Sequence, residues 1–118
     1  DRSVKMYVPN DVPRMFGANY LNQSPACTIE VTDSLARASR ARLALSTWSA
    51  AHAKAVMLNG IPLVGRLGLI HQYSHGLLEV PVRVLKKGPN EFSLFNDEQN
   101  HAAEVNWPGP VLLVEYAD

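Results

Sequence analysis

The sequence contains a single cysteine, Cys27, among its 118 residues. One thiol cannot form a disulfide within the chain, and it cannot build a zinc cluster by itself. Cys27 lies between Ala26 and Thr28, in a stretch where apolar and polar residues alternate. A free cysteine behaves as a small apolar side chain in such a position. The sequence therefore predicts a buried, unreactive thiol.

The chain also lacks an excess of charge, because 11 basic residues balance 11 acidic ones and only 19% of the residues are charged. Binding to nucleic acid or to an anionic membrane surface depends on an excess of Lys and Arg. No apolar run in the sequence is long enough to cross a bilayer. These absences argue against nucleic acid and membranes as partners.

The apolar fraction of 47% is sufficient for a hydrophobic core. A length of 118 residues is typical of one domain, so we expect a single domain over residues 1–118. The sequence shows neither an initiator methionine nor a signal-peptide pattern. We therefore expect a mature protein or an excised domain.

Many short segments have the composition or the alternation of β-strands. Cys27, Ile29 and Val31 occupy every second position, as in a half-buried strand, and Asn59-Gly60 is a strong signal for a tight hairpin. A further turn is predicted at 86–90. The predicted strands cover residues 4–8, 27–32, 55–58, 77–85, 91–95 and 111–116. About eight to ten such strands predict an all-β protein, an antiparallel β-sandwich of the jelly-roll type.

Two segments, 77–85 and 33–57, allow more detailed predictions. Within 77–85, the valines at alternate positions share one face, and Pro81 favours an edge or a bulge. Residues 33–57 are rich in alanine and also fit one long helix, but its basic residues would surround several faces. We favour a strand with Leu43 and Leu45 facing inward, a break at 46–52 and a turn of helix at 33–38.

Two motifs resemble those of the galactose-binding-like jelly-roll family. Residues 55–63 read AVMLNGIPL, and residues 80–92 read VPVRVLKKGPNEF. They are similar to the family's Asn-Gly hairpin, the apolar strand that follows it and a Leu-Lys-x-Gly-x-Asn turn. The resemblance covers about residues 42–116, and the first forty residues match no pattern that we can name.

The resemblance implies a function, although its motifs specify turns and not a ligand. The fold occurs in carbohydrate-binding modules and in sandwich domains attached to polysaccharide-degrading enzymes. It therefore implies a polysaccharide or oligosaccharide ligand, a covalently linked catalytic domain, and a secreted or extracellular location.

The candidate site follows from the direction of the strands. In an antiparallel sandwich, the loops at 48–53, 65–76 and 96–102 lie at one end, and the turns at 59–60 and 86–90 lie at the other. All four histidines fall in the first group of loops, together with the aromatic residues suited to stacking on a sugar ring. The predicted ligand-binding residues are Trp48, His52, Arg66, His71, Tyr73, His75, Asp97 and His101. The alternative is that these are ordinary polar loops, with Trp48 covering the core.

Residue patterns in the sequence indicate metal binding more weakly. His71 and His75 have the spacing of metal ligands on a helix, and Asp97 with Glu98 would suit a structural calcium ion. Otherwise we expect no cofactor. Trp107 precedes a Pro-Gly-Pro turn and is predicted to close the core.

No motif supports catalysis. Ser46 and Ser74 are not in a nucleophile elbow, and the carboxylates of Asp97 and Glu98, as neighbours in the chain, would point apart. The leading hypothesis is therefore a non-catalytic carbohydrate-binding module. One alternative is a structural or interaction domain that packs on a catalytic partner and binds no sugar. An exposed apolar patch, for example around residues 8–21, would favour this alternative. A third hypothesis is a small metal- or calcium-dependent hydrolase with an ion near His71 or Asp97.

Overall fold

A computed structural model describes residues 2–10, 15–17, 26–49, 55–65, 68–69, 71–95, 102–107 and 109–118. Within them, the chain forms ten strands in two antiparallel sheets that face each other, which confirms the predicted all-β sandwich. No helix in this part is long and apolar enough to span a membrane. The strands are β1 (Arg2–Tyr7), β2 (Met15–Gly17), β3 (Ala26–Val31), β4 (Ala38–Trp48), β5 (Ala55–Leu58), β6 (Ile61–Pro62), β7 (Tyr73–Val80), β8 (Gly88–Phe95), β9 (Ala102–Val105) and β10 (Val111–Ala117).

The six-stranded sheet is organised around β4. Its strand order is β1-β10-β4-β9-β2, and β7 pairs with the other side of β4. The second sheet has four strands in the order β3-β8-β5-β6. Along β4 every second residue is buried, including Leu43 and Leu45, so the predicted strand is confirmed. The strand continues to Trp48 instead of breaking at Ser46, because β7 pairs with it over its whole second half.

The core fills the space between the sheets. Phe92 and Ile29 from the four-stranded sheet are fully buried, as are Leu43 and Leu112 from the six-stranded sheet. Burial of each such side chain stabilises the fold by about 2 kcal/mol. Cys27 is buried with them, as predicted.

The predicted hairpin is present between β5 and β6. Asn59 and Gly60 both have positive φ angles, 53° and 77°, as a type I′ turn requires. The Asn59 side chain donates to the side-chain oxygen of Asn90 at 2.9 Å. This contact places the hairpin and the segment around 86–90 at the same end of the sandwich, as the strand directions predict.

Several predicted boundaries were wrong. The strand predicted at 77–85 ends at Val80, because Pro81 lacks an N–H for the sheet and Val82–Val84 form a 3-10 turn. The residues at 73–76, predicted as loop, belong to β7, and the turn at 86–90 is shorter because β8 begins at Gly88. The turn of helix predicted at 33–38 is instead a β-turn, in which the Ala38 N–H donates to the Leu35 carbonyl.

Candidate functional site

Trp48 and Tyr73 form an aromatic pair on the six-stranded sheet. Trp48 is the last residue of β4, and Tyr73 is the first residue of β7, directly opposite it in the sheet. Their ring centroids are 4.8 Å apart, and the ring planes are tilted by 56°. Tyr73 is 74% exposed, whereas Trp48 is half-buried. Trp48 therefore supports one side of an exposed tyrosine ring.

This pair lies on strands and not in loops, which corrects the expectation for Trp48, Tyr73 and His75. Inward-facing residues of β4 and β7, such as Thr47 and Leu78, are buried. Because side chains alternate along a strand, Trp48 and Tyr73 lie on the outer face, the side of the six-stranded sheet that is turned away from the four-stranded sheet. A sheet surface holds side chains more rigidly than a loop does.

A polar pair follows the aromatic pair. Ser46 and His75 are opposite each other in the sheet, and the Ser46 Oγ lies 2.9 Å from the His75 Nδ1. His75 is exposed, so its ring offers hydrogen-bonding capacity to a ligand beside the Tyr73 ring.

The next two pairs of opposed residues along β4 and β7 are an apolar pair and a charged pair. Ala44 is opposite Leu77, whose side chain is 54% exposed, and Arg42 is opposite Glu79. Arg40 Nε donates to Glu79 Oε1 at 3.1 Å, and this bond holds the pKa of Glu79 below its usual value. We name the first three of these pairs on the outer face by their chemistry: the aromatic row (Trp48, Tyr73), the polar row (Ser46, His75) and the apolar row (Ala44, Leu77).

His71 lies two residues before the start of β7. Its backbone N–H donates to the Ser49 hydroxyl at 3.1 Å, and its side chain is exposed. His71 and His75 do not lie on a helix, so the helical spacing that suggested a metal site does not apply. Among the residues that the structure describes, no group of three or more His, Cys, Asp or Glu could hold a metal ion.

The remaining candidate residues lie outside the described ranges. They are His52, Arg66, Asp97, Glu98 and His101. The proposed calcium ligands, Asp97 and Glu98, are among them. Their roles stay predictions.

Among the described residues, Ser46 and His75 lack the carboxylate that would complete a catalytic triad. In a triad the histidine bonds the serine through one ring nitrogen and a carboxylate through the other. In the described part of the chain, no carboxylate bonds His75. Ser74 faces inward, where its hydroxyl lies 3.1 Å from the Thr47 hydroxyl. Neither serine is therefore activated by the surroundings that the structure describes.

Trp107 was wrongly predicted to close the core, because its side chain is 79% exposed. It lies in the connection between β9 and β10, where the N–H of Asn106 donates to the Ser46 carbonyl at 2.8 Å. This turn thus lies beside the polar row. The prolines around it suggested a sealing turn, but they fix only the direction of the chain.

A second polar cluster lies at the opposite end of the sandwich, and the sequence reasoning missed it. The Tyr7 hydroxyl donates to Asp33 Oδ2 at 2.6 Å and lies 2.7 Å from the Tyr116 hydroxyl. Lys5 Nζ donates to Asp33 Oδ1 at 2.8 Å. The cluster borders a cavity of about 350 Å³. Tyr7 and Tyr116 are buried in the structure, and buried hydroxyls need partners. In residues 4–8 the alternation places Tyr7 with Lys5, opposite Val4, Met6 and Val8, so no local pattern indicated that Tyr7 is buried.

Charge and burial determine the protonation states in this cluster. The Lys5 hydrogen bond, followed by that from Tyr7, holds the pKa of Asp33 below its usual value. Burial, together with the bond to Asp33, raises the pKa of Tyr7 far above its usual value. Asp33 is therefore ionised and Tyr7 protonated at neutral pH, and the cation and anion offset each other.

The fold is shared with part of several glycoside hydrolases. One is a β-porphyranase of glycoside hydrolase family 86 from the human gut bacterium Bacteroides plebeius, with a TM-score of 0.67 and 18% identity over 96% of this chain. Another is BuGH86 in complex with neoagarooctaose, with a TM-score of 0.73 and 11% identity over 97% of this chain. The E322Q variant of BuGH86, also with neoagarooctaose, gives a TM-score of 0.71.

The chain spans only about a fifth of the length of these structures, 19% to 20%. No protein-family model matches the sequence, and no curated protein matches it. At these levels of identity, the likeness concerns the fold. The sandwich is thus similar in fold to one portion of these larger glycoside hydrolases.

Proposed function

We propose that this chain is a non-catalytic carbohydrate-binding domain, an accessory part of a larger, secreted polysaccharide-active enzyme with a galactose-binding-like jelly-roll fold. The observation that carries the proposal is the exposed Tyr73 ring, supported by Trp48 and followed by the Ser46–His75 pair. An aromatic face stacks on the C–H groups of a sugar, and the neighbouring hydroxyl and imidazole bond its hydroxyl groups. The fold shared with family 86 glycoside hydrolases supports the same class of ligand.

The other residues that the sequence predicts for the site are further candidate contacts. His52, Arg66, His71, Asp97 and His101 remain predicted ligand-binding residues, and Asp97 with Glu98 remains a predicted calcium site. In this proposal they add hydrogen bonds around the aromatic row. Their contribution is secondary to that of Tyr73, since stacking supplies the largest apolar contact.

Affinity electrophoresis through gels that contain agarose, xylan, mixed-linkage glucan or galactan tests the proposal. We expect at least one polysaccharide to retard the protein, and Tyr73→Ala to reduce the retardation at least tenfold, because aromatic anchors dominate such interfaces. Met6→Ala is the matched control, since Met6 is 71% exposed on β1 of the same sheet, away from β7. Thermal unfolding of both variants shows whether the fold is retained.

Two results would contradict the proposal. If no polysaccharide in the panel retards the protein, the function is wrong. If Tyr73→Ala migrates like the unmodified protein in the retarding gel, the site is wrong.

A specific observation also favours the alternative, a structural domain that packs on a catalytic partner. Val4, Met6 and Val8 are exposed along β1 and the residue after it, and they form an apolar strip at one edge of the six-stranded sheet. The strip begins before the stretch at 8–21 that the sequence indicated. An exposed apolar strip is typical of a protein-binding surface. Under this alternative no gel retards the protein.

A further inference from the structure

We infer that the binding surface takes an extended, neutral oligosaccharide that lies along β4 and β7, and not a single terminal sugar. The inference rests on the proposed function and adds the length, direction and charge of the ligand. It depends on the order of the three rows along the two strands.

The register of β4 and β7 sets the length of the surface. Consecutive rows are two residues apart on each strand, which corresponds to about 7 Å. The aromatic, polar and apolar rows therefore extend over about 14 Å along the strands, which is longer than one pyranose ring. Their side chains lie on one face of one continuous pair of strands, so a single ligand contacts all three rows without crossing a loop.

The chemistry of the rows fits successive parts of a sugar chain. Tyr73 offers a stacking face at one end, and Ser46 with His75 offers hydrogen bonds in the middle. The exposed Leu77 beside Ala44 offers a second apolar surface at the other end. A sugar ring offers C–H groups for stacking and hydroxyl groups for hydrogen bonds. A chain of sugars can therefore make both kinds of contact along the three rows.

Charged side chains mark where the surface ends. Beyond the apolar row, Arg40 is paired with Glu79, and the Arg42 guanidinium lies 3.8 Å from a carboxylate oxygen of Glu115. These cations already have acidic partners, so they offer little to an anionic sugar. The three rows contain no Lys, Arg, Asp or Glu. The ligand is therefore a neutral chain of about three or four sugar residues.

Isothermal titration calorimetry with neoagarobiose, neoagarotetraose, neoagarohexaose and neoagarooctaose tests the inference. We expect the affinity to rise at least tenfold from the disaccharide to the tetrasaccharide and then to stay constant. Leu77→Asp places a charge under the far end of the ligand, where it would lose hydration. We expect this variant to lose about tenfold in affinity for the hexasaccharide and less than twofold for the disaccharide.

Met6→Asp is the matched control, because it introduces the same charge at an exposed apolar position of the same sheet but beyond β10. Leu77→Ser is a second variant, which removes the apolar contact without adding charge, and we expect a smaller loss in the same direction. Equal affinity for all chain lengths, or an equal effect of Leu77→Asp on short and long ligands, would overturn the inference and leave the proposed function intact. If none of the four oligosaccharides binds and another polysaccharide retards the protein, the proposed function stands, and the same series of chain lengths prepared from that polysaccharide decides the inference by the same criteria.

Discussion

Asn90 shows how one buried polar side chain organises the turn before β8. It is fully buried, and its amide nitrogen donates to the carbonyls of Lys86 and Gly88 at 2.8 and 3.0 Å. Its amide oxygen accepts from the Lys86 N–H and from Asn59. Because a buried polar group is costly unless it is paired, this side chain stabilises one conformation of the turn.

We expect Asn90→Ala to lower the free energy of unfolding by about 3 kcal/mol, because it leaves backbone groups of Lys86 and Gly88 without their partner in a buried region. Asn10→Ala is the matched control, because Asn10 is exposed, and we expect a change below about 0.5 kcal/mol. Urea unfolding followed by tryptophan fluorescence measures both. Equal effects of the two substitutions would show that the Asn90 network contributes nothing specific.

At the scale of elements, the hairpin between β5 and β6 depends on two positive φ angles. At Gly60, where φ is +77°, no atom lies within 4 Å of the position that a Cβ would occupy. The cost of substitution there comes from the backbone alone. A substitution at Gly60 therefore measures the backbone cost of the turn without a change in side-chain packing.

We expect Gly60→Ala to destabilise the protein by about 1 kcal/mol, since alanine tolerates a left-handed conformation poorly. Gly60→Asn should cost less, because asparagine adopts this conformation more readily. Chemical denaturation of both variants tests the ranking. A larger loss for Gly60→Asn than for Gly60→Ala would rule out backbone strain as the cause.

The elements that could be predicted are those with a local signal. Alternation identified β3 and β4, and Asn59-Gly60 identified the hairpin. β2 and β9 have three and four residues, and neither has an alternating pattern that marks a strand. They form because neighbouring strands offer hydrogen bonds, as where Trp48 of β4 pairs with Glu104 of β9.

The candidate site could be predicted only in part, for a related reason. Antiparallel strand directions were enough to bring Trp48 and Tyr73 to one end of the sandwich. They did not show that the two residues are direct partners on a sheet face, because register depends on pairing between segments distant in sequence. The bond between Ser46 and His75 depends on the same register.

At the scale of the whole molecule, the cluster of Lys5, Tyr7, Asp33 and Tyr116 links the two sheets. Lys5 and Tyr7 belong to β1, Tyr116 belongs to β10, and Asp33 follows β3 of the opposite sheet. The lowered pKa of Asp33 makes this link sensitive to acid. Its contribution to stability is complete above the unfolded-state pKa of about 4, and it is lost as the pH falls through the lower folded-state pKa.

We expect Asp33→Asn to reduce the acid sensitivity of the fold. The urea midpoint of the unmodified protein should fall more between pH 7 and pH 2.5 than that of the variant, because only the unmodified protein has this carboxylate to protonate. Glu91→Gln, which removes an exposed carboxylate, serves as the control and should keep the full decrease. An unchanged decrease in Asp33→Asn would mean that other groups determine the acid response.

The position of β4 has a consequence for the order in which the molecule can assemble. β7, β9 and β10, the strands that pair with β4, all follow it in the chain, and β1 pairs with β10. Among the described strands, β4 has no partner in its sheet until residue 73 and beyond have been synthesised, and β1 cannot pair with β10 until residues 111–117 have been synthesised. Closing such long loops costs entropy before any pairing compensates for it. The face that carries Trp48 and Tyr73 is therefore assembled late, from strands that are made far apart in time.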